Sequence, residues 1–580
     1  MTHCRAVGFA DSAYVAAARK IYTACMPLHS ACPVRSFHCP GSWSHHLCDC
    51  RKQSKRLQAV APPWSRGPSC FGCSRVQTAE PPATQGAQTK GHVVIIGAGP
   101  GGSMAAILLA KRGYKVDVYE RRPQPKQDPI DLKRTYIIAL SERGLKSMRA
   151  AGVSIPSDAP YKGFVRHLKG GKVQVSPVEG NVSFERAELA QHLISEANRL
   201  TPHVKYHFEQ GLHSIDFDKQ TATLQTHDGT MSEVQYDLLI GADGVGSTVR
   251  SQMEQKLPGM KVKIEDSGRE YKTYKGLKAD LEPPELRDRP GRSIHIFLGQ
   301  NSWTSLSGHL NPDGTYAGTL AMKNGEFKKL STAAEYEGVI RKGVSGVPEH
   351  WIADIAKQCL HAATSPQGRR QAPVLAIAAA DHAYAHACRH GPGCLTLMQA
   401  HSCSNCPFLA YPLRHTRAER VWCSRLTGPK VMLVGDAAHA VTPVGGQGAN
   451  AALEDTLFLT DILQSTGDDL ASAVPKYDRE RLPDAHGLVA IESSFSKLVG
   501  NKLAAAFDPN FLKLVVHVAF GSIMHKLLPF IRKRQPALVQ LGSDMRYSDI
   551  MKEVNRDAAT VAALLLAALM VVCLRLAKVL

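Results

Sequence analysis

Apolar and polar positions follow two different patterns along the chain. Val93–Ile96 is an uninterrupted apolar run, and a helical pattern begins a few residues after it. Apolar runs also occur within the strands predicted at Tyr236–Ile240 and Lys430–Gly435, and a glycine ends or follows each. Continuous apolar runs of this length are typical of strands that helices cover on both faces. This first pattern therefore predicts an α/β fold with a Rossmann-like parallel sheet.

The second pattern consists of short β-rich stretches, and it predicts antiparallel strands in a second, more β-rich domain. It is clearest in the stretches SIHIFLG, from Ser293, and TYAGTLAMK, from Thr315. Between about 376 and 427 neither pattern holds, and His, Cys, Pro and Arg are clustered instead. The predicted domains are a dinucleotide-binding domain at 91–255 and 428–505 with β-rich insert elements from about 160–235, a β-rich substrate domain at 256–375, an irregular insertion at 376–427 and a C-terminal helical region at 506–557.

The end of the chain carries a long apolar segment. Ala558–Leu574 is apolar apart from Thr560, and Arg556 and Arg575 flank it. As a helix this segment would reach about 25 Å, near the short limit for crossing a bilayer. A core helix would normally show a polar face, which this segment lacks. We therefore predict a membrane anchor at 558–574, and a buried terminal helix remains the alternative.

The positive charge of the chain is concentrated outside the predicted domains. The formal net charge is +19, but residues 1–90 hold eleven Lys or Arg against three acidic residues, and residues 376–430 hold six against two. The remainder shows no basic stripe with interleaved aromatics, so we expect no nucleic-acid partner. Because the leader at 1–90 is rich in Arg, Ser, Ala and Pro, we expect a disordered, transit-like segment and linker. Together with the anchor, it predicts a tail-anchored protein of a mitochondrial or chloroplast membrane.

Most of the cysteines, like much of the positive charge, lie outside the predicted domains. Eight of the fifteen lie between Cys4 and Cys73, and six lie between Cys359 and Cys423. The predicted domains between these clusters therefore need no disulfide framework. Some leader cysteines have CxC and CxxC spacing, but no paired hydrophobic scaffold surrounds them, so we expect no metal site.

The first glycine-rich stretch, GAGPGG, directly follows the run Val93–Ile96. Gly97, Gly99 and Gly102 satisfy GxGxxG at the entrance of a helix, a spacing that lets a pyrophosphate approach the backbone. Glu120 ends the next strand, eighteen residues after Gly102, where an acid can bond ribose hydroxyls. The stretch predicts a bound dinucleotide, either FAD or a nicotinamide.

Two later stretches each place an aspartate after a strand. In YDLLIGADGVGSTVR the strand leads to Asp243 and Gly244. In KVMLVGDAAHAVTPVGGQGAN the strand leads to Asp436, and a helix begins near Gly448. A helix N-terminus at that place would stabilise a reduced, anionic flavin. Asp436 is suited to bonding the ribityl hydroxyls.

These three stretches, in this order, resemble the FAD-dependent aromatic hydroxylases, which are single-component flavoprotein monooxygenases. The resemblance covers roughly 92–375 and 428–505 and implies FAD as cofactor, NADPH as a transient electron donor, O₂ and a small aromatic substrate, kynurenine-like in the leading case. It implies that Asn450 faces the substrate. It also implies FAD contacts from Gly97, Gly99, Gly101, Gly102, Glu120, Arg121, Arg134, Arg186, Asp243, Gly244, Asp436, Pro443, Gly446, Gly448 and Ala449.

The chain departs from this family where the substrate carboxylate should be held. Gly163 and Pro177 stand in the places of the family's arginine and tyrosine, and Lys162 or Arg166 can substitute. We assign no catalytic side chain, because the flavin carries the chemistry, and we favour a packing role for His439. Two other functions stay open: an organellar reductase or epoxidase acting on a prenyl or lipid substrate, and a non-catalytic flavin-fold binding protein.

Overall fold

A computed structural model describes the chain at residues 89–125, 137–156, 160–299, 303–311, 313–361, 416–500, 508–532, 536 and 541–577. Arg134, the leader up to residue 88 with its cysteines, and most of the predicted insertion lie outside the described residues. The predictions made for them therefore stay predictions.

The helices and strands follow one another along three parts of the chain. The first part contains β1 His92–Ile96, α1 Pro100–Lys111, β2 Lys115–Glu120, β3 Ile137–Leu140, α2 Glu142–Ala150, β4 Tyr161–His167, β5 Val173–Pro177, β6 Val182–Glu185, α3 Arg186–Asn198, β7 Val204–Phe208, β8 Gln210–Asp216, β9 Thr221–Thr226, β10 Met231–Gln235, β11 Leu238–Gly241 and α4 Thr248–Lys256. The middle part contains β12 Val262–Leu277, α5 Pro284–Arg287, β13 Arg292–Phe297, β14 Ser305–Leu310, β15 Tyr316–Lys323, α6 Ala333–Gly343 and α7 Glu349–His361. The last part contains β16 Thr416–Cys423, β17 Thr427–Gly428, β18 Val431–Leu433, α8 Asp436–His439, α9 Gly448–Ser465, α10 Leu470–Gly500, α11 Pro509–Leu527 and α12 Tyr547–Ala577.

A six-stranded sheet forms the centre of the dinucleotide-binding domain. Its strand order is β17-β18-β11-β1-β2-β7, and all its pairs are parallel except β17 with β18. Val93, Val94 and Ile95 of β1 have no exposed surface, because the hydrophobic core covers both faces of this strand. The three apolar runs thus form three adjacent central strands, as the sequence predicts.

A seven-stranded sheet forms the β-rich domain, in the order β16-β12-β15-β14-β13-β4-β5. One face packs on α6 and α7 around the buried Trp351. Two boundaries differ from the sequence prediction. β4 and β5, expected as β-rich insert elements of the dinucleotide-binding domain, belong to this sheet, because β4 pairs with β13 and β5 pairs with β4. β16, expected within the irregular insertion, pairs with β12 along Val262–Asp266, where cross-strand hydrogen bonds fix it.

The C-terminal region is helical, as predicted, but the apolar segment is part of a longer helix. α12 begins at Tyr547, and its first turns pack Ile550 and Val554 against α10 and α11. From residue 562 to 577 the helix is exposed. Among the described residues it is the one helix long and apolar enough to cross a membrane, and none of its apolar window is buried. The alternative of a buried terminal helix is therefore not supported.

A polar cluster lies between the seven-stranded sheet and the helices that cover it. Glu282 accepts hydrogen bonds from His295 at 3.0 Å and pairs with Lys162 at 2.7 Å. His167 lies 3.0 Å from the other ring nitrogen of His295 and stacks on Phe297, with ring centroids 4.2 Å apart. Burial, together with the neighbouring His295, lowers the pKa of His167 to about 4. The folded state therefore disfavours a proton on His167.

We predict that His167 makes the fold sensitive to mild acid. An unfolded histidine titrates near pH 6.5, so between about pH 6.5 and 4 the unfolded chain binds a proton that the folded chain does not. Stability is thus expected to fall as the pH falls through this window. His167→Gln keeps an N–H donor for His295 but does not titrate, so its melting temperature should fall less between pH 7 and pH 5 than that of the unchanged chain.

The exposed His227 provides the control for this experiment. His227→Gln should leave the pH dependence of the melting temperature as it was. An unchanged pH dependence in His167→Gln would contradict the assignment.

Candidate functional site

The ends of four neighbouring strands form one edge of the parallel sheet. The order β18-β11-β1-β2 places Gly435, Ala242, Gly97 and Glu120 side by side, because each residue ends its strand or follows it within two positions. The register is level, since Ile96 is the partner of both Gly241 and Tyr119. Strands lie about 4.8 Å apart, so the four ends span roughly 15 Å. The three separated sequence stretches therefore meet at the edge where α/β sheets bind ligands.

In the glycine turn between β1 and α1, one position has room for an added Cβ and two other positions have none. A Cβ on Gly97, which has φ +106°, would lie 2.4 Å from the Ala242 carbonyl oxygen, and a Cβ on Gly102 would lie 2.0 Å from the Gly97 oxygen. A Cβ on Gly99 would meet no atom within 4 Å. Gly99 is also the N-cap of α1, so the free N–H groups of the helix face that space. The turn fits a pyrophosphate.

Glu120 is buried beside this turn. Its carboxylate accepts hydrogen bonds from the Ala98 N–H at 3.0 Å and from the Arg122 side chain at 2.8 Å. Burial would raise the pKa of Glu120, but the hydrogen bonds and charge of Arg122 outweigh it, and the pKa lies below the ordinary value. Glu120 is therefore held as an anion. Arg121, which the sequence suggests as a FAD contact, is exposed, and that contact stays a prediction; the sequence does not suggest the role of Arg122, which is also exposed.

Asp243, at the end of β11, caps α4. Its carboxylate accepts hydrogen bonds from the Ser247 hydroxyl and the Thr248 N–H, both at 2.6 Å. Arg250 then ties the second stretch to the third, because it donates to the carbonyl of Val245 at 2.5 Å and to that of Ala437 at 2.9 Å. Asp243 thus shapes the cleft edge in addition to the cofactor contact proposed for it.

The third stretch presents an uncommitted carboxylate. Gly435 has φ +59°, and the chain turns there so that Asp436 is exposed at the start of α8. No hydrogen bond or ion pair engages Asp436 within the described residues. A Cβ on Gly448 would lie 3.9 Å from the Asp436 carboxylate, so Asp436 stands beside the N-terminus of α9.

The turn before Asp436 is held by the fully buried Asp455 of α9. Asp455 accepts hydrogen bonds from the Gly435 N–H at 2.7 Å, from His439 at 2.8 Å and from Arg481 at 2.7 Å. Burial would lower the pKa of His439, but the adjacent Asp455 raises it above its ordinary value. His439 thus belongs to a buried ion pair, and this contact gives it a role in packing.

Asn450 lies in the first turn of α9, and its side-chain amide makes hydrogen bonds within the protein. It donates to the carbonyls of Ala139 and Gly446, both at 3.0 Å, and accepts from the Ser141 N–H at 2.9 Å. These bonds join α9 to β3 and α2. The predicted contact with substrate is untested, and in this structure Asn450 clamps the cleft wall.

The same wall is tied to the root of α12. Tyr547 donates a hydrogen bond to Gln447 at 3.0 Å, and Gln447 is the N-cap of α9. Arg143 lies over the Tyr547 ring, 4.0 Å from its centroid, and bonds Glu454 of α9. Sequence reasoning missed this set, because the residues lie about a hundred or more positions apart and no local pattern marks them.

The face of the seven-stranded sheet that α6 and α7 leave uncovered forms the roof of the cleft. His309 on this face lies 3.7 Å from Glu185 of β6, which fixes the face toward the dinucleotide-binding domain. Arg166 is the cross-strand partner of Ile296 on the same face and donates to Ser176 at 2.9 Å. Arg166 is buried on this face, and its predicted contact with a substrate stays a prediction.

Lys162 is not placed on the roof, and this corrects the sequence hypothesis. Its ammonium is committed to Glu282, which also contacts His295 on the face covered by helices. Gly163 cannot carry a longer side chain without movement, because it has φ +152° and a Cβ there would lie 2.7 Å from the Ser176 oxygen. It stands directly opposite Pro177 across β4 and β5.

Three further residues that the sequence suggests for FAD binding have the following places in the structure. Gly101 packs toward Ala452 of α9, and Gly446 adopts the left-handed conformation in the turn that precedes this helix. Arg186 is half-buried at the first position of α3. The space over Gly99 and the uncommitted Asp436 fit two adjacent parts of an extended FAD, namely its pyrophosphate and its ribityl chain.

Comparison with known proteins agrees with this geometry. Residues 90–268 and 410–491 match the family model described as FAD binding domain. The chain is 30% identical over 407 residues to a kynurenine 3-monooxygenase of Xanthomonas oryzae pv. oryzae, which covers 68% of this chain and 76% of that protein. It is 27% identical over 467 residues to the Salinispora arenicola enzyme of the same name, covering 76% of this chain and 89% of that one.

Two solved structures share the fold. One is PqsL from Pseudomonas aeruginosa, described as a probable FAD-dependent monooxygenase, with a TM-score of 0.50, 17% identity and coverage of 72% of this chain and 98% of that one. The other is Klebsiella pneumoniae HpxO in complex with FAD and uric acid, with a TM-score of 0.50, 18% identity and coverage of 80% and 97%.

We predict that Gly99→Ala weakens FAD binding without disturbing the fold. The added methyl group meets no protein atom but occupies the space that a pyrophosphate needs. We expect Kd for FAD to rise at least about tenfold, which corresponds to roughly 1.4 kcal/mol. Gly338→Ala, on α6, also meets nothing within 4 Å and should leave Kd unchanged. Equal FAD affinity of the two variants would contradict the assignment, and melting temperatures of the apoproteins check the fold.

Proposed function

Because the chain belongs to the family of FAD-dependent monooxygenases that includes the kynurenine 3-monooxygenases, we propose that it hydroxylates a small aromatic substrate, kynurenine in the leading case, at the expense of NADPH and O₂. The observation that carries the proposal is the position of Asp436. Its free carboxylate stands beside the N-terminus of α9, on the edge that also carries the glycine turn and under a roof that contains Arg166.

Bound FAD supplies the electron transfer and oxygen activation that hydroxylation requires. The residues of the chain position the cofactor and substrate. The N–H groups at the start of α9 favour negative charge at the nearby flavin edge. The roof and the wall formed by Asn450 exclude water from the space between the two domains. No side chain in the cleft needs to act as an obligatory base.

The substrate carboxylate is proposed to meet Arg166. The structure leaves no room for a long side chain at Gly163, so the family's usual arginine is absent from that position. Arg166 lies three positions further along the same strand and is buried on the roof, near the ring of Phe164. A guanidinium in this environment binds a carboxylate strongly and with defined geometry.

NADPH is proposed as a transient donor without a nucleotide fold of its own. The partial second fingerprint, Gly244 and Gly246, lacks a third glycine because Val249 stands there. Val249 is fully buried in the core, so this turn does not open to a second dinucleotide. One tightly bound nucleotide and one transient donor fit this arrangement.

We predict that the purified protein oxidises NADPH faster in the presence of kynurenine and forms a hydroxylated product.

Arg166→Met should raise KM at least about tenfold with a smaller effect on kcat, because a hydrogen bond to a charged group contributes about 1.5–3 kcal/mol. Arg289→Met is the control, since Arg289 contacts the exposed Glu179 at the edge of the same domain. FAD content and product analysis accompany both. Stimulation by prenyl lipids in place of aromatic acids would overturn this substrate class.

We also propose that α12 anchors the protein in a membrane. Residues 558–577 extend about 30 Å from the folded body, which matches the hydrocarbon thickness of a bilayer. Asp557 is the last buried residue before them and is paired with Arg532 and His517. The cations Arg556 and Arg575 flank the segment at headgroup level.

We predict that a chain ending at Asp557 moves from the membrane to the soluble fraction and keeps its FAD. A chain ending at Leu541 removes Tyr547, Ile550 and Val554 from a buried cluster and should lose both stability and FAD. A soluble full-length protein would contradict the anchor, as would a folded chain ending at Asp557 that pellets with membranes as completely as the full-length protein.

A further inference from the structure

α11 has two apolar faces, and the protein covers one of them. Phe511, Leu514 and Val518 are buried against α10 and α12. On the other face Ile523 is 54% exposed and Leu527 is 71% exposed. A surface helix of a soluble domain normally turns charged residues to solvent on that face.

The exposed side chains of α11 form a continuous stripe that runs into the following turn. At 100° per residue, positions 512, 519, 523 and 527 fall within about 80° of one another. The stripe continues beyond the helix with Phe530, which is 73% exposed, and Ile531, which is 63% exposed. We call the exposed Leu512, Ile523, Leu527, Phe530 and Ile531 the apolar stripe.

The apolar stripe lies at the root of α12. Arg532, which directly follows Ile531, donates to Asp557 at 2.7 Å and lies 3.5 Å from Glu553. His517, on the buried side of α11, also contacts Asp557 at 2.7 Å. Asp557 is the last buried residue before the exposed apolar part of α12. The turn that carries Phe530 and Ile531 is therefore beside the point where the proposed anchor enters the bilayer.

The charge of this region favours an anionic surface. The sequence from 509 to 541 contains five Lys or Arg and no Asp or Glu. Lys526, which is exposed, lies next to Leu527 in the apolar stripe. Exposed apolar side chains combined with cations are the composition of segments that lie in the membrane interface, where the cations are attracted to anionic lipid.

We propose that the apolar stripe is a second membrane contact, which inserts into the bilayer interface beside the anchor and fixes how the catalytic domain sits on the membrane. The occupant is a lipid surface that contains anionic headgroups. The proposal rests on the proposed anchoring by α12, because that helix brings the stripe to the bilayer. A second copy of the chain would bring five further cations to the same place, so like-charge repulsion opposes that occupant.

The proposal is tested with the full-length protein in lipid vesicles. Phe530→Trp and Ile523→Trp place a tryptophan in the apolar stripe, and Met231→Trp places one at an exposed position on β10 as the matched control. The vesicles contain lipids brominated near the headgroup end of their acyl chains, with or without anionic lipid. The emission of each variant is compared with that of the unchanged chain, which contributes the same native tryptophans.

We expect the lipids to quench the emission of the tryptophan at 530 or 523 roughly twofold, and more strongly with anionic lipid, whereas the tryptophan at 231 stays unquenched. Absence of quenching at both 530 and 523 in membrane-bound protein would overturn the apolar stripe as a lipid contact while leaving the anchor in place. Quenching at 231 as well, or emission that responds to protein concentration and not to brominated lipid, would also overturn it. FAD content and NADPH oxidation of the variants, measured separately, show whether the catalytic assignment holds.

Discussion

The buried carboxylate of Asp455 is the interaction on which the cofactor cleft depends. It has no exposed surface, and its charge is compensated by Arg481, by His439 and by the backbone of Gly435. An ion buried without partners is strongly unfavourable, and removing one partner of such a pair typically costs about 3–5 kcal/mol. Asp455 therefore holds the turn at Gly435 in its left-handed conformation, and this turn aims Asp436 into the cleft.

The same charge network extends from the cleft to the first turns of α12. Arg481 also pairs with Asp484 at 3.2 Å, and Asp484 accepts hydrogen bonds from Arg546 and from the Ser548 N–H at the start of α12. The chain thus uses one set of buried ion pairs to shape the cofactor cleft and to fix the start of α12, the helix proposed as the membrane anchor. Because of these contacts, the first turns of α12 are part of the folded domain. The exposed remainder of the helix is not.

The sequence predicts the parallel sheet and its three cofactor stretches well, because glycines and strand-ending acids obey local rules of backbone geometry. Gly97 and Gly102 face contacts of 2.4 Å and 2.0 Å for any added Cβ, so these positions tolerate no other residue. Local patterns do not reveal partners that are distant in the chain. The sequence therefore gives no sign that Asn450 clamps Ala139, and a lysine such as Lys162 looks the same in sequence whether it faces a ligand or Glu282. The sequence also does not reveal that β16 belongs to the seven-stranded sheet, because its cross-strand partners in β12 lie about 150 positions away.

The central claim is that three separated stretches surround one FAD, with Asp436 as the carboxylate left free for it. Its most direct test is the FAD affinity of Asp436→Ala, measured by fluorescence titration of the apoprotein. Because Asp436 is exposed and makes no hydrogen bond within the described residues, the substitution should leave the melting temperature of the apoprotein unchanged. The account predicts an increase in Kd of at least about tenfold. A variant that binds FAD as tightly as the unchanged chain would contradict it.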